Sequence, residues 1–409
     1  MINVQSEISF DNTEIAFAHK SNKALKEARW IFSTMQHHWL VKLGVRITPW
    51  AIRTGLPVKG LIKNTIFEQF VGGETLEETA RVAKKLGMSN VQAILDYGVE
   101  GKEGEKNFDH ACEEFIKVIK YASTQPNIPF MSVKVTGFAR FSLLEKLDHL
   151  MATAQGTLMT RFKNVLEQLP VEEKKEWQRI NDRMLLICGA GKESNIGVLV
   201  DAEETWVQDP VDALTILMMD LFNKEKIVVF NTVQLYRKDR LQFLKDSYQA
   251  AEERKFILGA KLVRGAYMEK ERRRALEKGY PSPIQPDKES TDHDFNAAVK
   301  FCIENLYRIS MIVASHNEFS NLMTTQLLQQ KGLPLNHAHI HFSQLYGMSD
   351  NITFNLAKAG CSVSKYLPFG PIRDVIPYLM RRAQENTSVG GQTSRELSLI
   401  KKELKRRGI

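Results

Sequence analysis

Short apolar runs recur along most of the chain, each followed by a longer amphipathic stretch. The runs with strand character are Ala93 to Val99, Phe130 to Val135, Gly197 to Asp201, Ile227 to Gln234, Gly259 to Gly265, Met311 to Ser315, His339 to Leu345 and Ser362 to Leu367. Between most of them the apolar positions shift to a helical period, as in Pro210 to Asn223, Arg237 to Lys255 and Asp292 to Tyr307. Repeated strand-then-helix order predicts right-handed βαβ units and a parallel sheet. Eight strands are what a closed (β/α)8 barrel needs, and an open doubly wound sheet shows the same alternation.

The ends of the chain and one central segment break this rhythm. From about Asn22 to Leu86 the patterns are helical. Thr75-Leu-Glu-Glu78 has the form of a capping box, with Gly87 as the stop. Trp30, Phe32, Trp39, Trp50 and Phe67 predict that this region packs on something, and the adjacent His37 and His38 read as ordinary residues. Residues 141–195, with the run Val171-Glu-Glu-Lys-Lys-Glu176, exceed one crossover helix and predict a helical insertion. Arg395 to Arg407 is a basic amphipathic helix, read as a solvated terminal helix, with contact to anionic lipid as the lesser alternative. The implied division is a helical region over 1–90, a barrel over 91–392 and a basic helix over 393–409.

With 409 residues, 43% hydrophobic and 25% charged, the composition is that of a soluble globular protein with a large core. The net charge of +8 suits acidic ligands or an anionic surface. Lys and Arg are spread along the chain rather than massed on one module, so no nucleic-acid partner is predicted. Cys112, Cys188, Cys302 and Cys361 lack metal-ligand spacing, which predicts reduced thiols and no metal site. The start carries no basic n-region or Arg-rich presequence, and no stretch has the apolar length of a membrane span. The expectation is a bacterial-type cytoplasmic protein, with peripheral contact to the inner membrane left open.

Candidate chemistry gathers where the apolar runs end. Lys134 follows Met131-Ser-Val133, Asp201 follows Val198-Leu-Val200, Gln234 closes Ile227 to Val233, and Ser315-His-Asn317 closes Met311 to Ala314. In Lys261-Leu-Val-Arg-Gly-Ala-Tyr267, alternation sends Lys261 and Arg264 to opposite faces, so one cation faces the barrel axis or both serve as strand-end ion-pair partners. Gly265 leaves room for a ligand or another backbone. No Gly-x-Gly-x-x-Gly, Walker or Gly-x-Ser-x-Gly pattern is present. His337, His339 and His341 alternate like ligands but have no carboxylates at matching spacing, and read as ordinary strand residues. Near the end, Asp374 caps a predicted helix with Pro377 in its first turn. On it Tyr378, Arg381, Arg382 and Glu385 share one face. That face is either a solvated charged stripe or an anion clamp of paired guanidiniums.

Several of these segments together resemble the signatures of proline dehydrogenase: Val200-Asp-Ala-Glu-Glu204, Phe230-Asn-Thr-Val-Gln234, Lys261 to Tyr267, Val313-Ala-Ser-His-Asn317, Gln344-Leu-Tyr-Gly-Met348, Lys365-Tyr-Leu-Pro-Phe-Gly-Pro371 and Tyr378 to Asn386. The resemblance runs from about Asp96 to Leu404 and is nearer the monofunctional, eukaryote-type branch. It implies a distorted (β/α)8 barrel holding FAD, oxidation of L-proline to 1-pyrroline-5-carboxylate with hydride passing to flavin N5, and electrons passing to a membrane quinone. It implies that Lys134, Arg381 and Arg382 bind the substrate carboxylate, and that Tyr366, Tyr378 and Leu345 wall its ring. Asp201 would order the charged cluster, and Lys261 would place a cation near flavin N5, where many bacterial members carry Arg. Ala202, Gln234, Arg264, Gly265, Ala266, Lys288, Ser315, His316 and Glu385 would line the cofactor.

Two other readings remain at this level. A barrel lyase would use Lys134 or Lys261 as a Schiff base, which leaves the arginine pair without a task. A basic non-enzymatic scaffold would bind nucleic acid or membrane through charge alone.

Overall fold

The computed structural model describes residues 8–37, 66–98, 103–388 and 392–409, with the side chains of 383–388 and 392 outside the description. Eight strands run in chain order: β1 Gln92–Tyr97, β2 Phe130–Val133, β3 Gly197–Val200, β4 Val229–Gln234, β5 Leu258–Val263, β6 Ile309–Ala314, β7 Ile340–Leu345 and β8 Val363–Phe369. They close into a barrel in the order β1 to β8, so the closed alternative holds over the open sheet. All six residues of β4 are buried. Helices cover the outside of a parallel sheet while side chains fill the inside, so such strands read as continuous apolar runs rather than alternating ones.

The chain divides into two compact units, Met1–Gly98 with His316–His337 and His341–Ile409, and Val99–Ser315 with Ala338–Ile340. In the second, β2 to β6 pair in parallel, with Thr232 opposite Lys261 and Lys261 opposite Ile312. The insertion forms three helices, Phe141–Thr153, Leu158–Gln168 and Val171–Ser194. The first packs on helix Thr205–Phe222 and the third on helix Glu105–Ala122. Helix Thr205–Phe222 begins five residues before Pro210, the start predicted from the pattern. Its N-terminus is satisfied from elsewhere in the chain: the Thr205 amide donates to Glu271 Oε1 at 2.7 Å and its hydroxyl to Oε2 at 2.8 Å. Just past that helix, fully buried Asn223 accepts from the amides of Val228 and Val229 and donates to the carbonyls of Val229 and Ile257.

In the other unit β8 pairs with both β1 and β7. Helices Thr13–Phe17 and Asn22–Met35 start at the side-chain caps Asn12 and Ser21 and pack against the last helix, Gln392–Arg406. Leu25, Ile31, Phe32, Leu397, Ile400 and Leu404 share one core with Ile376, Tyr378 and Leu379. The last helix is therefore not solvated all round, because its apolar side is covered. Arg407 fastens it further, donating to the carbonyls of Phe17 and Lys20 at 2.8 and 2.9 Å. Phe32 and Phe67 are buried as predicted, but Trp30 is 59% exposed; His38, Trp39 and Trp50 lie outside the described residues.

Two predicted helix ends differ in detail. Thr75 caps helix Leu76–Gly87, accepting from the Glu78 amide, while the Glu78 carboxylate reaches the Glu74 amide at 2.8 Å instead of closing the box on Thr75. Gly87 is the last helical residue, and Asn90 supplies the left-handed turn at φ 57°. Helix Ile372–Ser388 starts two residues before Asp374: the Pro371 carbonyl accepts from the Asp374 amide at 2.8 Å, so Asp374 lies in the first turn and Pro377 beyond it. Among the described residues no helix is long and apolar enough to cross a membrane.

Candidate active site

Within the unit spanning Val99–Ser315, the C-terminal ends of β2, β3 and β5 bring three of the predicted charged residues together. Asp201 Oδ1 accepts from Lys261 Nζ and from Ser132 Oγ at 2.7 Å, and Asp201 Oδ2 lies 3.6 Å from Lys134 Nζ. Lys261 is thus the inward-facing cation of its strand, with a side chain only 5% exposed. Burial pushes the Asp201 carboxyl up, but the charges of Lys261 and Lys134, with the bonds from Lys261 and Ser132, outweigh it and hold the group below its ordinary value. Lys134, 17% exposed, is the member of the trio more open to solvent.

Arg264, on the opposite face, joins a second cluster. Its guanidinium pairs with Asp292, donates to Ser315 Oγ at 3.0 Å and lies 4.1 Å from the centre of the Phe295 ring. Asp292 also accepts from Lys288, so Lys288 stands with Arg264 on one carboxylate. Burial lowers the Arg264 pKa to about 10 against the charge of Asp292. Gln234 is buried and donates to the Glu203 carbonyl at 2.7 Å and the Tyr236 hydroxyl at 2.9 Å. Beside Gly265 the neighbour that a side chain would strike is the Met268 side chain. Ala202 is half-buried and Ala266 exposed.

The second set of predicted residues lies in the other unit. Arg382 is 7% exposed, which removes the solvated-stripe reading for it, and its guanidinium lies 5.1 Å from the centre of the buried Tyr378 ring. Arg381, Leu345 and Tyr366 are half-buried, and the Glu385 side chain lies outside the description. His316 Nδ1 is 2.8 Å from Ser349 Oγ; burial, then the charges of Lys365 and Arg382, push its pKa down to about 3, so the ring is neutral at pH 7.

Three groups escaped the sequence reading. Buried Glu203 bonds the Thr136 hydroxyl at 2.7 and 2.9 Å, and burial pushes its carboxyl up to about 7, with Thr136 and Lys134 opposing. Nothing in Val200-Asp-Ala-Glu-Glu204 distinguishes it from Glu204. Asp292 was read only as a helix start. Lys365, beside Tyr366 and 1% exposed, pairs with Asp350 at 2.9 Å, and Asp350 also meets Lys20 at 3.4 Å and His19 at 3.6 Å. Its place in the motif Lys365 to Pro371 was a signal, but not one that named its partner.

The chain is similar to known proteins in sequence and in fold. The proline dehydrogenase family model matches residues 79–395. The mitochondrial proline dehydrogenase 1 of Dictyostelium discoideum is 32% identical over 382 residues, covering 86% of this chain and 66% of its own length. The carbapenem antibiotics biosynthesis protein CarD of Pectobacterium carotovorum is 34% identical over 355 residues, covering 85% of this chain and 86% of its own. A crystal structure of proline utilization A (PutA) from Bdellovibrio bacteriovorus, inactivated by N-propargylglycine, shares the fold with a TM-score of 0.75 at 21% identity, covering 98% of this chain and 44% of that one. The chain therefore spans just under two thirds of the first relative and under half of the PutA chain. With the family model matched over most of its length, the chain belongs to the proline dehydrogenase family.

Proposed function

We propose that the protein oxidises L-proline to 1-pyrroline-5-carboxylate, the first step of proline catabolism, with FAD as cofactor and a membrane quinone as the final electron acceptor. The observation that carries the reading is the Lys134–Asp201–Lys261 cluster, two ammonium groups on one ionised carboxylate at the strand ends of a chain in this family. Lys134, together with Arg381 and Arg382, is assigned the substrate carboxylate, because ammonium and guanidinium groups are its charge-assisted donors. Tyr366, Tyr378 and Leu345 are assigned the apolar ring, and Asp201 fixes the position of Lys134. Lys261 is assigned to place positive charge where the reduced cofactor becomes anionic.

The donor set fits FAD. Arg264 and Lys288 on one carboxylate suit a diphosphate, and the buried amide of Gln234, with Ala202, Gly265, Ala266, Ser315, His316 and Glu385, is assigned to the remainder. FAD, once bound, supplies the hydride acceptor. The protein's own work is to hold proline still by its carboxylate and to exclude water from its ring. A Schiff-base mechanism fits less well, because it leaves Arg381 and Arg382 without a task.

The test is a visible spectrum of the purified protein before and after anaerobic L-proline. The expected result is a yellow protein bleached by proline. A cofactor-loaded preparation that proline leaves unchanged overturns the assignment.

A further inference from the structure

Ser349 stands at the start of helix Asp350–Lys358, in the turn that follows β7, and is fully buried. Serine is a favoured N-cap because its hydroxyl satisfies one of the first helical amides, yet the Ser349 side chain makes no such bond. Its backbone is left-handed, φ 51° and ψ 44°, a conformation that glycine adopts without steric cost and serine does not. The hydroxyl meets His316 Nδ1 instead, at 2.8 Å. Three consecutive residues of this turn are held from other elements of the same unit. The Met348 carbonyl accepts from Lys365 Nζ, the Ser349 amide donates to Glu396 Oε1, and the Asp350 carboxylate pairs with Lys365 at 2.9 Å. Glu396 lies on the last helix and is only 3% exposed, so this acidic side chain is turned into the protein to reach the Ser349 amide.

His316 lies two residues past β6 and is half-buried. Its ring is neutral at pH 7 and therefore carries one N–H, on one nitrogen or the other. Among the described residues Nδ1 is the nitrogen with a hydrogen-bond partner in the protein, which leaves Nε2 for a ligand. We propose that Ser349 and Glu396 are positioning residues: the Ser349 hydroxyl donates to His316 Nδ1 and fixes the tautomer that presents an Nε2 proton to the cofactor, while Glu396 holds Ser349 in its left-handed turn. This rests on the function proposed above, in which His316 is one of the FAD contacts. The choice of tautomer follows from the chemistry of FAD, whose phosphates and flavin carbonyls only accept hydrogen bonds. The other tautomer would turn a ring lone pair toward such oxygens. Because burial, Lys365 and Arg382 keep the ring from protonating at both nitrogens, the bond made by one nitrogen decides what the other offers.

The test uses the full-length, cofactor-loaded protein with nitrogen-15-labelled histidine and reads the ring nitrogens by NMR, the His316 signals being those lost in His316→Gln. The wild type should show one neutral tautomer, protonated at Nε2, from about pH 6 to 8. Ser349→Ala keeps the backbone amide and removes the hydroxyl. It should give a mixture of the two neutral tautomers and weaken FAD retention on dilution, read by flavin fluorescence, about fivefold, the worth of one ordinary hydrogen bond, with circular dichroism unchanged. Glu396→Ala should shift both readouts the same way, and Glu396→Gln, whose amide oxygen still accepts from Ser349, should restore them. A wild-type ring protonated at Nδ1 or already mixed, or FAD retention within about twofold of wild type in either alanine variant, overturns the proposal. Bleaching by anaerobic L-proline is recorded on the same preparations. If the wild type holds FAD that proline leaves unchanged, the function fails while the tautomer and FAD-release readouts still decide the roles of Ser349 and Glu396.

Discussion

Replacing Asp201 by Asn keeps the shape of the side chain but removes the charge that two ammonium groups share. Lys134, 17% exposed, can turn toward water, but Lys261, 5% exposed, cannot, so the cost falls mainly on Lys261. Removing one partner of a buried ion pair costs about 3–5 kcal/mol, and the escape open to Lys134 places the expectation near the lower end, about 3 kcal/mol. Lys261→Met deletes the stranded charge with a side chain of similar bulk. The double variant should therefore regain about 2 kcal/mol relative to the sum of the single losses. Because the carboxyl lies below its ordinary value, its contribution is present above the usual carboxylate range and is lost only as pH falls below it. Measurements at pH 7 are inside that window. Urea unfolding followed by both circular dichroism and fluorescence gives the free energies and checks that the transitions coincide. A single-variant loss under about 0.5 kcal/mol, or additivity of the two substitutions within that margin, refutes the ion-pair reasoning.

Two further outcomes are expected. Arg381→Met and Arg382→Met should keep the flavin spectrum but each weaken proline binding by roughly 1.5–3 kcal/mol, the worth of a charge-assisted bond; proline titration with unchanged affinity in both would return the pair to a structural role. Glu203, raised to about 7 by burial, contributes stability that is fully present below the ordinary glutamate pKa and lost as pH rises through 7. Glu203→Gln should flatten the stability profile between pH 5 and 8 by a few kcal/mol, read from urea midpoints, and an unchanged slope refutes it. Part of the slope should persist, because Asp148 is also pushed up to about 7 by burial and by Asp209.

The barrel was legible because strands covered on both sides cannot hide their apolar runs, and its polar strand ends stood out against them. Lys134, Asp201, Lys261 and Gln234 were each singled out in that way. What one strand's pattern does not carry is pairing across the fold. Lys261 and Asp201 are 60 residues apart, and only the register of β3, β4 and β5 makes them partners. Long-range contacts hid other features too. Glu271 satisfies the start of a helix 66 residues away and so moved that helix boundary off Pro210. The exposure of Trp30 could not be read either, since periodicity says which residues share a face but not which face is covered.

The packing of the first helices on the last has a consequence for how the protein is made. Phe17 and Arg407 are 390 residues apart, so at ribosomal rates of about 5–20 residues per second the N-terminal helices wait roughly 20–80 s before their partner exists. Throughout that interval the core that Leu25, Ile31 and Phe32 share with Leu397, Ile400 and Leu404 is incomplete. Deleting helix Gln392–Arg406 should leave that part of the core permanently open.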